Sequence, residues 1–216
     1  MAWALQCTEP VSRGQPGRLR SRGFTLIEMM VVVIIVSVLA MLAIVGYRRL
    51  ILSSNVSEAT NMVQNIRVAQ ESFHSETLQY ANVAATVSPF NAGAGANAGW
   101  YPSNTPNGKT LTAWGATCAS GVCAAGYDWS VLPVHVDGPV RFGYATLAGQ
   151  AGGTVAPATL GVSSAPGGTV TLPTTSATDW YLIAAMCDLD NSGDAVNTHV
   201  YATSWTNQIF LDNEGY

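Results

Sequence analysis

A short segment near the C-terminal end of the chain has the composition of a hard-cation site. Oxygen-bearing side chains recur at alternate positions, with glycine at the sixth, in the order Asp188-Leu-Asp190-Asn191-Ser192-Gly193-Asp194. This spacing matches the first half of an EF-hand loop, where a tight turn directs several oxygens at one Ca²⁺. The twelfth position is His199, so Asp212 or Glu214 would have to supply a further carboxylate. The alternative is a polar turn between strands, where Asp, Asn and Gly are favoured anyway. We expect that the protein requires no cofactor. Calcium is the one ion that this ligand spacing would bind.

Cysteines offer a second chemistry, disulfide formation. Beyond the early Cys7, the chain has Cys118, Cys123 and Cys187. In an oxidising compartment these three would form one disulfide and leave one thiol. A Cys118–Cys123 bond closes a short Gly/Ala loop, whereas a bond from Cys187 to either closes a longer ring. The sequence leaves the pairing open, and it has no histidine at the spacing of a zinc site.

Neither catalysis nor nucleic-acid binding is indicated by the sequence. The three histidines are isolated, no nucleophile elbow is present, and no Gly-rich phosphate loop follows a strand, so we expect a protein that is not an enzyme. After Gly23 the chain has five basic and twelve acidic residues, a formal charge of −7. Only Lys109 and Arg141 are cationic beyond residue 67, which disfavours nucleic acid as a partner.

Glu28 is the most unusual ionisable residue, because it directly precedes the 19 uncharged residues Met29–Tyr47. A charge well inside a bilayer costs roughly 2.5–3.5 kcal/mol, and less near the interface, so this carboxylate implies a partner. A local explanation also exists. Thr25-x-x-Glu28 has the form of a capping box, and a carboxylate in a first helical turn is favoured by the helix dipole.

The apolar run has the length of a transmembrane helix, since about 20 helical residues span a bilayer core. A secretory signal is disfavoured because no small-residue cleavage site follows the run. Arg13, Arg18, Arg20 and Arg22 precede it and only Arg48 and Arg49 follow it closely, which predicts a cytoplasmic N-terminus.

The segment that begins Arg22-Gly23-Phe24-Thr25-Leu26-Ile27-Glu28 and continues through the apolar run resembles the processing and membrane motif of type IV pilins and the related pseudopilins of type II secretion. The resemblance is specific over residues 22–44. It implies that a membrane prepilin peptidase removes residues 1–23 by cutting after Gly23 and methylates the new amine of Phe24. It also implies that Glu28 attracts the N-terminal amine of the adjacent subunit during assembly. Some pseudopilins bind calcium in a comparable late loop, so the resemblance also favours calcium binding at Asp188–Asp194.

Two positions depart from the family pattern. Ser37 stands where a mid-segment glycine is usual, and Val45 stands where a proline often kinks the helix. Because valine neither clashes with the preceding turn nor lacks an N–H, we expect the helix to continue through this position.

The chain is predicted to be an α+β protein, with a long N-terminal helix packed on a C-terminal antiparallel sheet that carries long Gly/Ala-rich loops. The helix should occupy residues 24–78, with residues 29–47 in the membrane, and residues 79–216 should form the β-rich body. Beyond the membrane an apolar stripe indicates the packed face: Leu52, Val56, Ala59, Val63, Ile66, Gln70 and Phe73.

Six runs read as strands: Val131–Val136, Val140–Leu147, Thr169–Leu172, Trp180–Cys187, Val196–Trp205 and Gln208–Leu211. Residues 81–128 and the rest of 148–178 read as loops, since they are rich in Gly, Ala, Ser, Thr, Asn and Pro. Alternation in Arg141–Leu147 and His199–Thr203 predicts strands that are buried on one face only.

These observations predict a structural subunit of a type IV pilus or related filament. It would wait in the inner membrane and polymerise through its helix into a pilus or periplasmic pseudopilus, and its partners would be other copies, the prepilin peptidase and the inner-membrane assembly platform. Two alternatives stay open: a pseudopilin or minor pilin of a type II secretion system, and a membrane-anchored monomeric binding protein or enzyme.

Overall fold

The computed structural model describes residues 23–83, 100–103, 106–115, 129–155, 159–161, 169–191 and 197–213. Only the backbone is described for Arg49, for residues 159–161 and for Thr169. The chain divides into two compact units, Met1–Ile44 and Val45–Tyr216, and each is described by itself.

The described part of the first unit is helical from Leu26 onward. It contains the beginning of α1, whose full extent is Leu26–Thr77, so the predicted uninterrupted helix is confirmed and ends one residue before Leu78. Up to Ile44 every described side chain is exposed, although nearly all are apolar. By length and composition, α1 is the one helix in the described residues that could cross a membrane.

The second unit contains the remainder of α1 and a β-sheet. Five members of the predicted stripe are buried on this helix, namely Val56, Ala59, Val63, Ile66 and Gln70, and Leu52 and Phe73 lie half-buried at its ends. The helix ends at Thr77, after which Leu78 adopts φ of 59° and its N–H donates to the carbonyl of His74 at 2.8 Å. This is an αL cap, with leucine at a position that glycine usually occupies.

Four antiparallel strands form the main sheet in the order β1-β4-β5-β6. The strands are β1 (Gly143–Gly149), β4 (Trp180–Cys187), β5 (Thr198–Thr203) and β6 (Thr206–Asp212). A smaller hairpin pairs β2 (Thr159–Gly161) with β3 (Thr169–Thr171). The α+β architecture is therefore as predicted, including a sheet of at least four strands packed against α1.

The prediction of a strand at Val131–Val136 is wrong. Trp129–Val131 forms a 3₁₀ turn, and the N–H of Val134 then donates to the carbonyl of Leu132 at 2.7 Å. Pro133 between them has no N–H and cannot join a ladder, which explains why this apolar run does not pair. Strand β2 was not predicted either, because its three residues lie within a Gly- and Thr-rich stretch.

Strands β1 and β5 are buried on both faces, contrary to the one-sided burial that their alternation predicts. On one face, Tyr144, Ile183 and Ala202 pack against the buried stripe of α1. On the other, Leu182 and Tyr201 pack with Trp100 and Val155 from connecting segments. Segments read only as loops therefore supply the second hydrophobic layer.

Candidate functional site

The beginning of α1 is closed by a reciprocal pair of hydrogen bonds. The Glu28 N–H donates to Thr25 Oγ1 at 3.3 Å, and the Thr25 N–H donates to Glu28 Oε2 at 3.3 Å. The Thr25 hydroxyl also donates to the same carboxylate oxygen at 3.3 Å. This is the capping box expected from the sequence, and it fixes the Glu28 side chain against the first turn.

The capping box leaves part of the carboxylate available. All its contacts involve Oε2, and Oε1 makes no hydrogen bond with any described residue. Glu28 is exposed, so Oε1 is accessible to a cation from another molecule. A capping role and an intermolecular role are therefore compatible in one side chain.

Gly23 and Phe24 precede the box and are accessible. Phe24 is 76% exposed, and a Cβ built on Gly23 would meet nothing within 4 Å. A glycine with no close neighbours permits another backbone to approach its carbonyl. Gly23 lies five positions and Phe24 four positions before Glu28, and both are outside the regular helix.

Beyond the membrane-length run, polar side chains of α1 connect it to the body, among them Gln70, Arg67 and Glu58. Buried Gln70 accepts the N–H of Ala81 at 2.9 Å and donates to the carbonyl of Ala81 at 2.7 Å and to Thr146 Oγ1 at 3.0 Å. Arg67 donates to the carbonyls of Thr206 and Asn207. The roles of Gln70 and Arg67 were not predicted from the sequence. The position of Gln70, an amide within an otherwise apolar stripe, is a signal that could have indicated its role.

Glu58 makes a further connection. Its Oε1 accepts the N–H of Arg141 at 2.9 Å, and the guanidinium of Arg141 in turn donates to the carbonyl of Gly108. The Gly108 N–H donates to the carbonyl of Asp188 at 2.6 Å. A chain of contacts therefore runs from α1 to the first residue of the candidate cation loop.

The candidate cation loop is only partly described. Asp188 and Asp190 precede Asn191, which adopts φ of 55°, whereas Ser192, Asp194 and Glu214 lie outside the described residues. Asp212 is buried at the end of β6, opposite His199 in the β5–β6 register. Within the described ranges no three His, Cys, Asp or Glu side chains are grouped closely enough to hold a metal ion.

Cys187 is a free, buried thiol at the end of β4. Burial raises its pKa to about 12, with the Arg141 charge opposing and Asp188 and Glu58 adding to the increase. A thiol with so high a pKa stays protonated and weakly nucleophilic at neutral pH. Cys118 and Cys123 lie outside the described residues, so a bond between them remains a prediction.

His199 is enclosed by aromatic rings on the face of the sheet opposite α1. It stacks on Tyr201 with ring centroids 5.6 Å apart, and its Nδ1 is buried with no hydrogen-bond partner among the described residues. Burial lowers its pKa to about 4, despite the opposing charge of Asp212. We assign this histidine to packing, because no described neighbour arranges it for proton transfer.

Comparison with known proteins finds a family motif near the N-terminus of the chain. Residues 18–44 match the family model described as the prokaryotic N-terminal methylation motif. The chain is also 43% identical over 74 residues to the type IV major pilin protein PilA of Myxococcus xanthus (strain DK1622), across 34% of this chain and 32% of that pilin. No solved structure matches significantly. The chain is thus pilin-like over 34% of its length, with a prepilin-type methylation motif at residues 18–44, and these similarities point to a structural subunit and not to an enzyme.

Proposed function

We propose that this type IV pilin-like chain is a structural subunit of a type IV pilus, held in the inner membrane before it polymerises through α1. The observation that carries the proposal is the exposed apolar stretch of α1 up to Ile44, with Glu28 in its first turn. Such a surface is stable only in lipid or against other apolar surfaces. Polymerisation would transfer this surface from lipid to contacts with the helices of other copies.

The outward face of α1 in the second unit supports packing between helices. Charged side chains between Leu50 and Gln70 are limited to Glu58 and Arg67, and both bond to the body. The exposed residues of the same stretch are apolar, hydroxyl or amide side chains: Ile51, Ser53, Ser54, Ser57, Asn61, Gln64, Asn65 and Val68. A helix face that stays in water is usually charged, whereas small and amide residues are common where helices associate.

Processing is proposed at the peptide bond between Gly23 and Phe24, followed by methylation of the Phe24 amine. The accessible Gly23 and the match to the methylation motif support this assignment. In an assembled filament the carboxylate of Glu28 would bind the Phe24 amine of the adjacent copy through the oxygen that the capping box leaves available. At about 4 Å such a pair is worth roughly 4 kcal/mol before desolvation, in a medium of intermediate dielectric constant.

Mass spectrometry of the N-terminus of the chain isolated from membranes tests the processing. We expect a chain that begins at Phe24 and carries one methyl group on its amine. A chain that still contains residues 1–23 in assembled material would contradict the proposal. A Gly23→Leu variant, which obstructs approach to the scissile bond, should accumulate uncut while its body folds normally.

We place the pilus ahead of a type II secretion pseudopilus because a protein similar to this chain is a type IV major pilin. Electron microscopy of surface fibres, followed by identification of their main component, distinguishes the two. Fibres composed mainly of this chain support the pilus, and a chain confined to the cell envelope favours the pseudopilus. A third candidate, a monomeric membrane-anchored binding protein or enzyme, would show neither fibres nor a methylated Phe24.

A calcium site at Asp188, Asp190, Ser192 and Asp194 remains a further proposal, supported by ligand spacing and by the left-handed turn at Asn191. Calcium should raise the melting temperature of the body, and Asp190→Asn should reduce that increase. An equal increase with magnesium, or none with calcium, would contradict it.

A further inference from the structure

One turn of α1 at the end of the membrane-length run, Tyr47 to Ile51, exposes apolar and cationic side chains together. Tyr47, Leu50 and Ile51 are 66%, 68% and 43% exposed and stand at i, i+3 and i+4, so they share one side of the helix. Arg48 is exposed and follows Tyr47, pointing about 100° around the helix from it. The turn belongs wholly to the second unit, and polar Ser53 and Ser54 follow it.

Arg48 differs from the two other arginines whose side chains are described in the second unit. Arg67 and Arg141 both donate to backbone carbonyls of the body. Arg48 makes no hydrogen bond or ion pair with any described residue. Its charge is therefore available to a group outside the described part of the chain.

The length of the preceding helix places this turn at a particular depth in a bilayer. The 22 residues from Leu26 to Tyr47 measure about 33 Å at 1.5 Å per residue, close to the roughly 30 Å hydrocarbon core. Tyrosine is enriched where the core meets the headgroups, and arginine extends its charge to the same level. Phosphate is a group that a guanidinium binds well there.

We propose that Tyr47, Arg48, Leu50 and Ile51 form an interfacial anchor that binds the lipid leaflet on the side of the body, with Arg48 on the phosphates. Arg49, next in sequence, adds a second cation. The apolar side of the turn rests on the upper acyl chains, while the arginines prevent it from sinking into the core. This inference rests on the proposed membrane-spanning state. It adds that the anchor sets the depth of the body relative to the bilayer before assembly.

Fluorescence quenching by brominated lipids tests the anchor. The full chain, as a Tyr47→Trp variant, is reconstituted in vesicles of phosphatidylcholine and phosphatidylglycerol brominated at different depths. Quenching of the unsubstituted chain is subtracted to remove its own tryptophans. We expect the strongest quenching by bromines nearest the glycerol. Adding Arg48→Gln and Arg49→Gln should move the maximum deeper, by about one helical turn of 5.4 Å, whereas Lys109→Gln should leave it unchanged.

A Val36→Trp variant measured in parallel separates the two possible failures. In one outcome, mid-chain bromines quench Val36→Trp but no bromine quenches Tyr47→Trp. The helix then spans the bilayer while the turn lies in water, as a surface for another copy of the chain. This outcome overturns the anchor alone. An unchanged depth after both arginine substitutions also overturns it. If Val36→Trp is not quenched either, the chain does not span the bilayer, and both the anchor and the proposed membrane state fail.

Discussion

Thr25 and Glu28 hydrogen-bond each other's backbone N–H groups at the first turn of α1, with both donor–acceptor distances at 3.3 Å. The capping contacts use Glu28 Oε2 and leave Oε1 without a described partner. The two proposed roles of Glu28 can therefore be separated by substitution. Removing Thr25 Oγ1 weakens the cap, whereas removing the charge of Glu28 abolishes attraction to an amine.

Thr25→Ala should affect the helix start and not assembly. The loss of the cap should destabilise the first turn by about 1 kcal/mol, which amide hydrogen exchange of residues 26–28 in micelles would report. Filament yield should remain within about twofold of that of the unsubstituted chain, because the Glu28 charge is retained. Loss of filaments on this substitution would indicate that the cap itself is needed for assembly.

Gln70 should be essential for the stability of the body. Gln70→Ala removes three hydrogen bonds and leaves the buried N–H and carbonyl of Ala81 without their partner. We expect a loss of about 2–4 kcal/mol in the free energy of unfolding, measured by urea denaturation. Gln64→Ala, on the exposed face of the same helix, is the matched control and should change stability by less than about 0.5 kcal/mol.

Gly149 should not tolerate a side chain. A Cβ at this position would lie 2.6 Å from the indole of Trp180, the residue directly opposite in β4. Gly149→Ala should destabilise the body by about 1–3 kcal/mol, because the indole is enclosed in the core and must shift. Gly138→Ala, where a Cβ meets open space, should leave the thermal midpoint nearly unchanged. Equal effects of the two substitutions would contradict the packing.

His199 should make the body less stable in mild acid. Burial lowers its folded-state pKa to about 4 from an ordinary 6.5, so between these values the unfolded chain binds a proton that the folded chain does not. Stability should therefore fall as pH decreases from about 6.5 to 4, by at most roughly 3 kcal/mol, and this histidine should contribute no further loss below 4.

Urea denaturation at pH 7 and at pH 4.5 measures that contribution. His199→Phe should reduce the difference between the two stabilities, since phenylalanine has no proton to bind. His135→Gln, at an exposed position, should leave the difference unchanged. A difference that is unaltered in His199→Phe would show that other groups cause it.

Local patterns were sufficient to predict α1 and its packed face. Its length, the capping box and the stripe from Leu52 to Phe73 follow from periodicity and composition, which are encoded in adjacent turns. The strand at Trp180–Cys187 was predicted with its observed bounds because eight mostly apolar residues leave little ambiguity.

Contacts between distant segments could not be predicted in this way. The connections from Glu58 to Arg141 and from Arg67 to Asn207 span 83 and 140 residues, and no local pattern specifies such pairs. Burial of β1 and β5 on both faces depends on residues such as Trp100 and Val155, which come from segments whose sequences resemble loops. The strand wrongly predicted at Val131–Val136 shows the opposite kind of error. There the apolar run suggested a strand, but Pro133 prevents it from pairing.

The charge of Glu28 is the central element of the proposed assembly, and Glu28→Gln tests it most directly. Glutamine retains an acceptor for the Thr25 N–H but has no charge to attract the Phe24 amine of another copy. Filaments sheared from cells that express equal amounts of chain should be weighed for Glu28→Gln and for the exposed control Glu76→Gln. The account predicts at least a tenfold loss of filament for Glu28→Gln and little change for Glu76→Gln; equal yields from the two variants would contradict it.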